Sequence, residues 1–159
     1  MDPPLREGQD VATAWAAPEF IPRRAFSQRD VQTIIGSLWP RGEGLPAGQG
    51  LRVDVGGGNA VTAVCNWQQD RAGSSALVLV HGLEGEAGVP FVRGLAHKAL
   101  RAGHHAVRMN MRTCGGTFAL SRTLYHSGLS GDVDAVVRTL LRDCGVKRVG
   151  VIIERGVRE

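Results

Sequence analysis

The stretch that decides the fold runs from Ala76 to Gly85 and reads Ala-Leu-Val-Leu-Val-His-Gly-Leu-Glu-Gly. Its first five residues are all apolar, which is typical of a short strand buried on both faces of a sheet. The His81-Gly82 pair that follows lets the chain turn where the strand ends. Acyl-transfer enzymes place backbone N–H groups at such turns to stabilise the oxyanion of a tetrahedral intermediate. A glycine after a strand is more often only a turn, so this pair alone is a weak signal.

Strands and helices alternate downstream of this stretch. The predicted elements are a helix from Pro90 to Leu100, a strand from Ala106 to Met109, a helix from about Ser130 to Gly145 and a strand from Arg148 to Ile153. In the second helix Ser130 is the expected N-cap, and Asp132 lies in the first turn, where the helix dipole favours a carboxylate. The strand–helix–strand–helix–strand order indicates a parallel sheet with right-handed crossovers.

Upstream of residue 76 the pattern is different. Leu51 to Val55 alternates apolar and polar residues, a glycine-rich turn follows, and Val61 to Trp67 returns, which predicts a β-hairpin. A short helix is expected from Arg29 to Trp39. The fold class is therefore α/β, an N-terminal hairpin followed by parallel βαβ units. We expect an extended arm over residues 1–25, one domain over 26–153 and a short tail over 154–159.

Composition excludes several classes of function. Seventeen of the nineteen basic residues are Arg, scattered singly along the chain, and no nucleic-acid-binding motif is present, so no nucleic-acid partner is expected. No apolar run approaches the length of a membrane span and no signal peptide is recognisable, so a cytoplasmic location is the default expectation. The three cysteines are Cys65, Cys114 and Cys144, which are far apart and form no CxxC pair. We therefore expect no metal site, no cofactor and no disulfide framework.

Several short landmarks follow one another in a fixed order. They are Gln32-Thr33-Ile34, His81-Gly82-Leu83-Glu84-Gly85, Asn110-Met111-Arg112, Cys114-Gly115-Gly116, Tyr125-His126-Ser127-Gly128 and Asp132. In this order and spacing, over about residues 20 to 150, the chain resembles the AB hydrolase-4 group of α/β-hydrolases, the YheT-like bacterial hydrolases and their eukaryotic lipid-hydrolysing relatives. The resemblance implies the N-terminal half of an incomplete α/β-hydrolase fold. Thr113 departs from the family pattern, in which Gly usually follows the Arg of the third landmark.

The resemblance also implies roles for individual residues. The backbone N–H of Leu83 would be one oxyanion-hole donor, and Gly82 would allow the turn. For His81, packing and fixing the loop is a simpler role than direct catalysis. Asp132 is most simply a helix N-terminal carboxylate, because the triad acid of this fold follows the nucleophile in chain order. Four residues would brace loops at the carboxyl edge of the sheet, where α/β proteins bind ligands; they are Asn110, Arg112, Tyr125 and His126.

The nucleophile elbow of the family, G-x-S-x-G, should follow the last predicted strand. The sequence there is Gly150-Val151-Ile152-Ile153-Glu154, with Ile152 at the serine position and Glu154 at the second glycine. The segment most similar to this motif elsewhere in the chain is Gly128-Leu129-Ser130-Gly131, but its serine leads into a helix instead of following a strand. Because Ile cannot attack a carbonyl, we expect no catalytic residue in this chain and interpret it as a truncated or frameshifted reading frame.

Three hypotheses remain open. The chain is an inactive fragment of a serine hydrolase that cleaves a small ester or lipid, such as an acylglycerol. Alternatively, it is a non-catalytic, hydrolase-like module that binds a ligand or partner. In the third hypothesis it is one half of a split enzyme, completed by a separate C-terminal half.

Overall fold

The computed structural model describes residues 21–22, 24, 27–126 and 128–154. Most of the predicted N-terminal arm, Ser127 and all but the first residue of the predicted tail lie outside the described residues. The chain divides into two units, Met1–Gly36 and Ser37–Glu159. The first contains most of helix α1, Arg29–Leu38, where the sequence predicts a helix. The expected domain boundary at residue 25 stays a prediction.

The second unit is built on one five-stranded sheet. Its elements are β1 Gln49–Gly56, β2 Asn59–Asn66, β3 Ala76–Val80, α2 Pro90–Arg101, β4 His105–Asn110, a 3₁₀ turn Phe118–Leu120, α3 Ser130–Asp143 and β5 Val149–Ile153. The strand order is β1-β2-β4-β3-β5. β1 and β2 form the antiparallel hairpin, β2 pairs antiparallel with β4, and β3 pairs parallel with both β4 and β5. The predicted hairpin followed by parallel βαβ units is confirmed, and the architecture is a partial α/β fold.

The two longer helices pack on opposite faces of the sheet. On one face, Val92 and Ala96 of α2 pack with Leu79 of β3. On the other face, Val136 and Leu140 of α3 pack in a separate core cluster with the buried side chains of β2, β3 and β4. Alternate residues of each strand face opposite sides, so β3 needs apolar residues throughout to serve both helices.

One end of α3 differs from the prediction. Ser130 is the first helical residue and not the N-cap; Leu129 holds the cap position, and no side chain caps the helix. The amide of Asp132 donates to the Leu129 carbonyl over 3.1 Å, so the first turn starts one residue earlier than expected.

The carboxyl ends of β3, β4 and β5 lie at the same edge of the sheet, since Val80 pairs with Met109 on one side and with Ile153 on the other. Two loops leave this carboxyl edge: residues 81–89 after β3 and residues 111–129 after β4. Within the described part of the chain, no helix has both the length and the apolar character to span a bilayer.

Candidate functional site

The loop after β3 begins with a tight turn. The amide of Gly85 donates to the Gly82 carbonyl over 3.2 Å. The residue with left-handed backbone is Glu84, at φ 56°, and not Gly82. The predicted turn is present, but its strained position lies two residues later than the glycine to which we assigned it. Non-glycine residues adopt this conformation only at some cost, so surrounding contacts must hold the turn.

His81 is one of those contacts. Its ring is 1% exposed, and Nε2 lies 3.2 Å from the amide nitrogen of Met111 while Nδ1 lies 2.8 Å from the Gly82 carbonyl oxygen. An amide N–H can only donate and a carbonyl can only accept, so Nε2 accepts and Nδ1–H donates. With both ring nitrogens engaged, His81 ties the loop after β3 to the loop after β4.

Gly85 is required because of this ring. A Cβ at position 85 would lie 2.9 Å from Cβ of His81, which is closer than side chains approach one another. The Gly-Leu-Glu-Gly run therefore combines a strained turn with close packing on a buried ring.

Tyr125 reaches the same loop from the other side. Its hydroxyl oxygen accepts a hydrogen bond from the Glu84 amide over 2.7 Å. The bond joins the loop after β4 to the strained residue of the turn. His126 is different: it is exposed, and its Nδ1 accepts only from the nearby Gly128 amide at 3.1 Å. Among the described residues, no hydrogen bond joins the His126 side chain to the loop after β3.

Two side chains of β4 hydrogen-bond to the backbone of Ala87 in the loop after β3. The Asn110 side-chain oxygen accepts from the Ala87 amide over 2.6 Å, and Nη1 of Arg108 donates to the Ala87 carbonyl over 2.7 Å. The Asn110 amide group also donates to Oγ1 of Thr62 over 3.0 Å. Asn110 was expected here and Arg108 was not. The available signal was an arginine between the apolar residues Val107 and Met109 in a predicted buried strand.

Arg112 and Asp132 form a largely buried ion pair. Nε and Nη2 of Arg112 donate to the two carboxylate oxygens at 2.7 and 2.6 Å, and the side chains are 11% and 6% exposed. Nη1 of Arg112 also donates to Oγ1 of Thr123 over 2.7 Å. The hydrogen bond to Asp132 raises the pKa of Arg112. This pair ties the loop after β4 to the first turn of α3, so Asp132 does more than face a helix dipole.

Thr113 has left-handed backbone, with φ 61°. This is the position at which the resemblance predicts Gly, and a β-branched residue is disfavoured in that conformation. The Thr113 hydroxyl donates to the Arg112 carbonyl over 2.6 Å. The sequence departure therefore coincides with a backbone conformation that favours glycine.

The amide predicted as an oxyanion donor is that of Leu83. No residue in the described part of the chain accepts a hydrogen bond from it, and the Leu83 side chain is 83% exposed. The neighbouring Gly82 amide is already engaged, since it donates to a carboxylate oxygen of Glu154 over 3.0 Å. Within the turn 82–85 the Leu83 amide is thus available to a ligand, whereas the Gly82 amide is held by a carboxylate of the same chain.

The position of the expected nucleophile lies within a strand. Ile152 belongs to β5, pairs with Leu79 and is 39% exposed. Glu154 continues the ladder, because its amide donates to the Val80 carbonyl over 3.0 Å. The backbone at residue 152 is therefore extended, whereas a nucleophile elbow is a sharp strand-to-helix turn.

None of the three cysteines has the lowered pKa of a reactive thiol that could replace the missing serine. Burial, and then the negative charge of Glu84, raise the pKa of Cys114. Burial, and then Cys144, raise the pKa of Cys65 to about 12, and burial also raises that of Cys144. Reactive thiols have lowered pKa values, so these three are expected to be poor nucleophiles.

An open cavity of about 310 Å³ lies beside the loop after β3. Glu84, Tyr125 and Cys114 contribute to its lining. In the portion of the chain that the structure describes, no cluster of three or more His, Cys, Asp or Glu side chains could hold a metal ion.

Comparison with known proteins gives one informative match. No family model matches the chain. The chain is 34% identical over 131 residues, 80% of its length, to the Escherichia coli (strain K12) protein named "Putative esterase YheT". It spans 37% of the length of that protein. The match suggests a hydrolase family, in agreement with the partial α/β fold.

Proposed function

We propose that this chain supplies the oxyanion-binding side of a serine ester hydrolase of the YheT-like AB hydrolase-4 type, and that it does not hydrolyse esters by itself. The observation that carries the proposal is the Leu83 amide, which stands at the carboxyl edge of the sheet without an acceptor among the described residues. Donors aimed at a developing oxyanion are the largest single contribution to many acyl-transfer reactions.

The supports of this amide favour the proposal. His81, Tyr125 and Asn110 each hold the loop after β3 through hydrogen bonds of 3.2 Å or less. An oxyanion donor acts only if it is fixed in place before the reaction, because reorganisation would consume the energy it provides. Hydrogen bonds at Gly82, Glu84 and Ala87 fix the loop on both sides of the Leu83 amide and meet that requirement.

The proposed substrate is an uncharged carboxylic ester with an apolar acyl group, such as a lipid or an acylglycerol. Apolar side chains are exposed on both loops of the carboxyl edge: Leu83 at 83%, Phe118 at 72% and Leu124 at 69%. Water-exposed apolar groups on loops around a site are suited to contact an apolar substrate.

The inactivity of the chain alone rests on its lack of a nucleophile. Ile152 stands at the serine position, and the thiols have raised pKa values. The purified chain should not release p-nitrophenol from p-nitrophenyl esters above a buffer blank, and a fluorophosphonate probe should leave it unlabelled. Stoichiometric labelling would contradict this part of the proposal and require a nucleophile that we have not recognised.

The oxyanion role can be tested in a chimera. Residues 1–149 would be joined to the part of the E. coli relative that follows its matching segment, and p-nitrophenyl butyrate hydrolysis measured. In an active chimera, Leu83→Pro removes the amide hydrogen and should lower kcat by about 10²–10³-fold. Leu83→Ala keeps the amide, removes most of the side chain and should leave kcat nearly unchanged. Equal kcat in both variants would remove Leu83 from the oxyanion role.

A second candidate is a non-catalytic binding module with a hydrolase-like surface. The observation that favours it is Glu154, whose carboxylate engages the Gly82 amide inside the proposed site. This candidate predicts that no chimera gains activity, while the unmodified chain still unfolds cooperatively as a monomer. A split enzyme predicts instead that a separately supplied C-terminal half restores ester hydrolysis on mixing.

A further inference from the structure

Arg108 is a charged side chain in the interior of the sheet. It lies in the middle of β4 between β2 and β3, pairing with Val64 and Leu79, and is 5% exposed. Burying a guanidinium costs several kcal/mol unless an acceptor or an opposite charge compensates, so each of its N–H groups needs an explanation.

The hydrogen bonds of Arg108 leave the guanidinium incompletely satisfied. Nη1 donates to the Ala87 carbonyl over 2.7 Å, and Nη2 makes a long contact of 3.4 Å to the Asn66 side-chain oxygen. Nε is buried and has no hydrogen-bond partner. Both acceptors are neutral, whereas a guanidinium has five N–H donors and one positive charge.

The surrounding charges do not balance Arg108. Burial, and then the positive charge of Arg93, lower the pKa of Arg108. Arg93 lies in the first turns of α2, and its Nη2 donates to the Gly42 carbonyl over 3.3 Å. Among the described residues, ion pairs form only between Arg112 and Asp132 and between Arg138 and Asp134. Arg108 in β4, and Arg93 near the positive amino end of α2, therefore both lack a counter-charge among the described residues.

We propose that Arg108 and Arg93 form a binding site for a small oxyanion, a carboxylate or a phosphate group. A bound oxyanion would accept from Nε of Arg108 and offset the charge of both guanidinium groups, as planar arginines do with carboxylates and phosphates. The site lies against the α2 face of the sheet, apart from the Leu83 amide, and its failure would leave the proposed ester chemistry untouched.

The segment from residue 41 to 48 covers this site. The Gly42 carbonyl contacts Arg93, and the Pro46 carbonyl accepts from the Asn66 side-chain amide over 2.8 Å. Entry of an anion therefore requires this segment to move, and binding should slow hydrogen exchange of its backbone amides.

The site can be tested by calorimetric titration of the full chain with sodium phosphate and, separately, sodium acetate, in chloride buffer of constant ionic strength. We expect saturable one-to-one binding of at least one of them. Arg108→Met should weaken binding by about tenfold or more, because it removes charge-assisted hydrogen bonds. It replaces a buried charge with an apolar side chain of similar length, a change that proteins often tolerate.

Two further variants complete the test. Arg93→Gln leaves Arg108 in place and should weaken binding by a smaller factor, of about threefold. Arg101→Met changes an exposed arginine at the end of the same helix and should leave binding unchanged. The proposal is overturned if the unmodified chain binds neither anion saturably, or if Arg108→Met and Arg93→Gln both bind as tightly as Arg101→Met.

Discussion

The carboxyl edge above β3 and β4 and the outer edge formed by β5 are built in opposite ways. At the first, the polar side chains of His81, Asn110, Arg112 and Tyr125 all have hydrogen-bond partners within the chain. At the second, Val151, Ile152 and Ile153 are 42%, 39% and 61% exposed. The candidate oxyanion loop is thus specified by this chain, whereas the strand expected to carry the nucleophile is not covered by the described residues.

Sheet position accounts for the difference. β3 and β4 each have a neighbour on both sides, but β5 pairs with β3 alone. Loops that leave interior strands are held by contacts from either side. An edge strand instead presents unpaired N–H and C=O groups, which are a template for pairing with another chain. The following predictions test this contrast, beginning with the largest expected effect.

The buried ion pair should contribute most to the stability of the carboxyl edge. Asp132→Ala should lower the free energy of unfolding by about 3–5 kcal/mol, because it leaves Arg112 buried without its counter-charge. Asp134→Ala is the matched control: it lies in the same helix and pairs with Arg138 at the same 2.6 Å, but both side chains are more than half exposed. It should cost much less, because water screens an exposed i,i+4 pair. Urea unfolding of the two variants measures the difference, and equal losses would contradict it.

The β5 edge should make the chain self-associate. We expect the unmodified chain to be aggregation-prone, with an apparent mass in light scattering that rises with concentration. Ile153→Lys places a charge on the exposed edge and should shift the chain towards monomer. Leu124→Lys adds the same charge to an exposed loop residue and should not. A monodisperse, cooperatively unfolding monomer of the unmodified chain would count against the prediction and in favour of the binding-module hypothesis.

Thr113 offers a smaller test of the loop after β4. Thr113→Gly should raise the free energy of unfolding by about 0.5–1 kcal/mol, because glycine relieves the left-handed conformation at φ 61°. Thr113→Ala keeps a Cβ and removes the hydroxyl, so it should bring no gain. If both substitutions destabilise the chain equally, the hydroxyl contact to Arg112 matters more than the backbone.

The last prediction concerns which ring nitrogen of His81 carries the proton. In nitrogen NMR of the imidazole, His81 should show a protonated Nδ1 and an unprotonated Nε2, since Nε2 accepts from the Met111 amide. His126, exposed and in local contact only, is the internal reference for an unconstrained ring. A protonated Nε2 on His81 would remove the link between the two loops.

Much of this fold can be predicted because local patterns control it. The apolar run of β3 matches the strand residue for residue. The α2 helix begins at Pro90, as proline at the first helical position predicts. The site is less predictable. Of the residues predicted to brace loops, Asn110 and Tyr125 hydrogen-bond to the loop after β3, whereas the side chain of His126 hydrogen-bonds to the nearby Gly128 amide; the bracing roles stay predictions.

What the sequence by itself determined is the set of elements, the hairpin, the turn after β3 and the absence of a serine at residue 152. These depend on periodicity, turn chemistry and residue identity, all of which act within a few positions along the chain. Only the tertiary structure decided that Glu154 engages the Gly82 amide, 72 positions away, and that Arg108 lies buried with an unpartnered Nε. Strand order and register bring such distant groups together, and no local pattern encodes which partners will meet across a sheet.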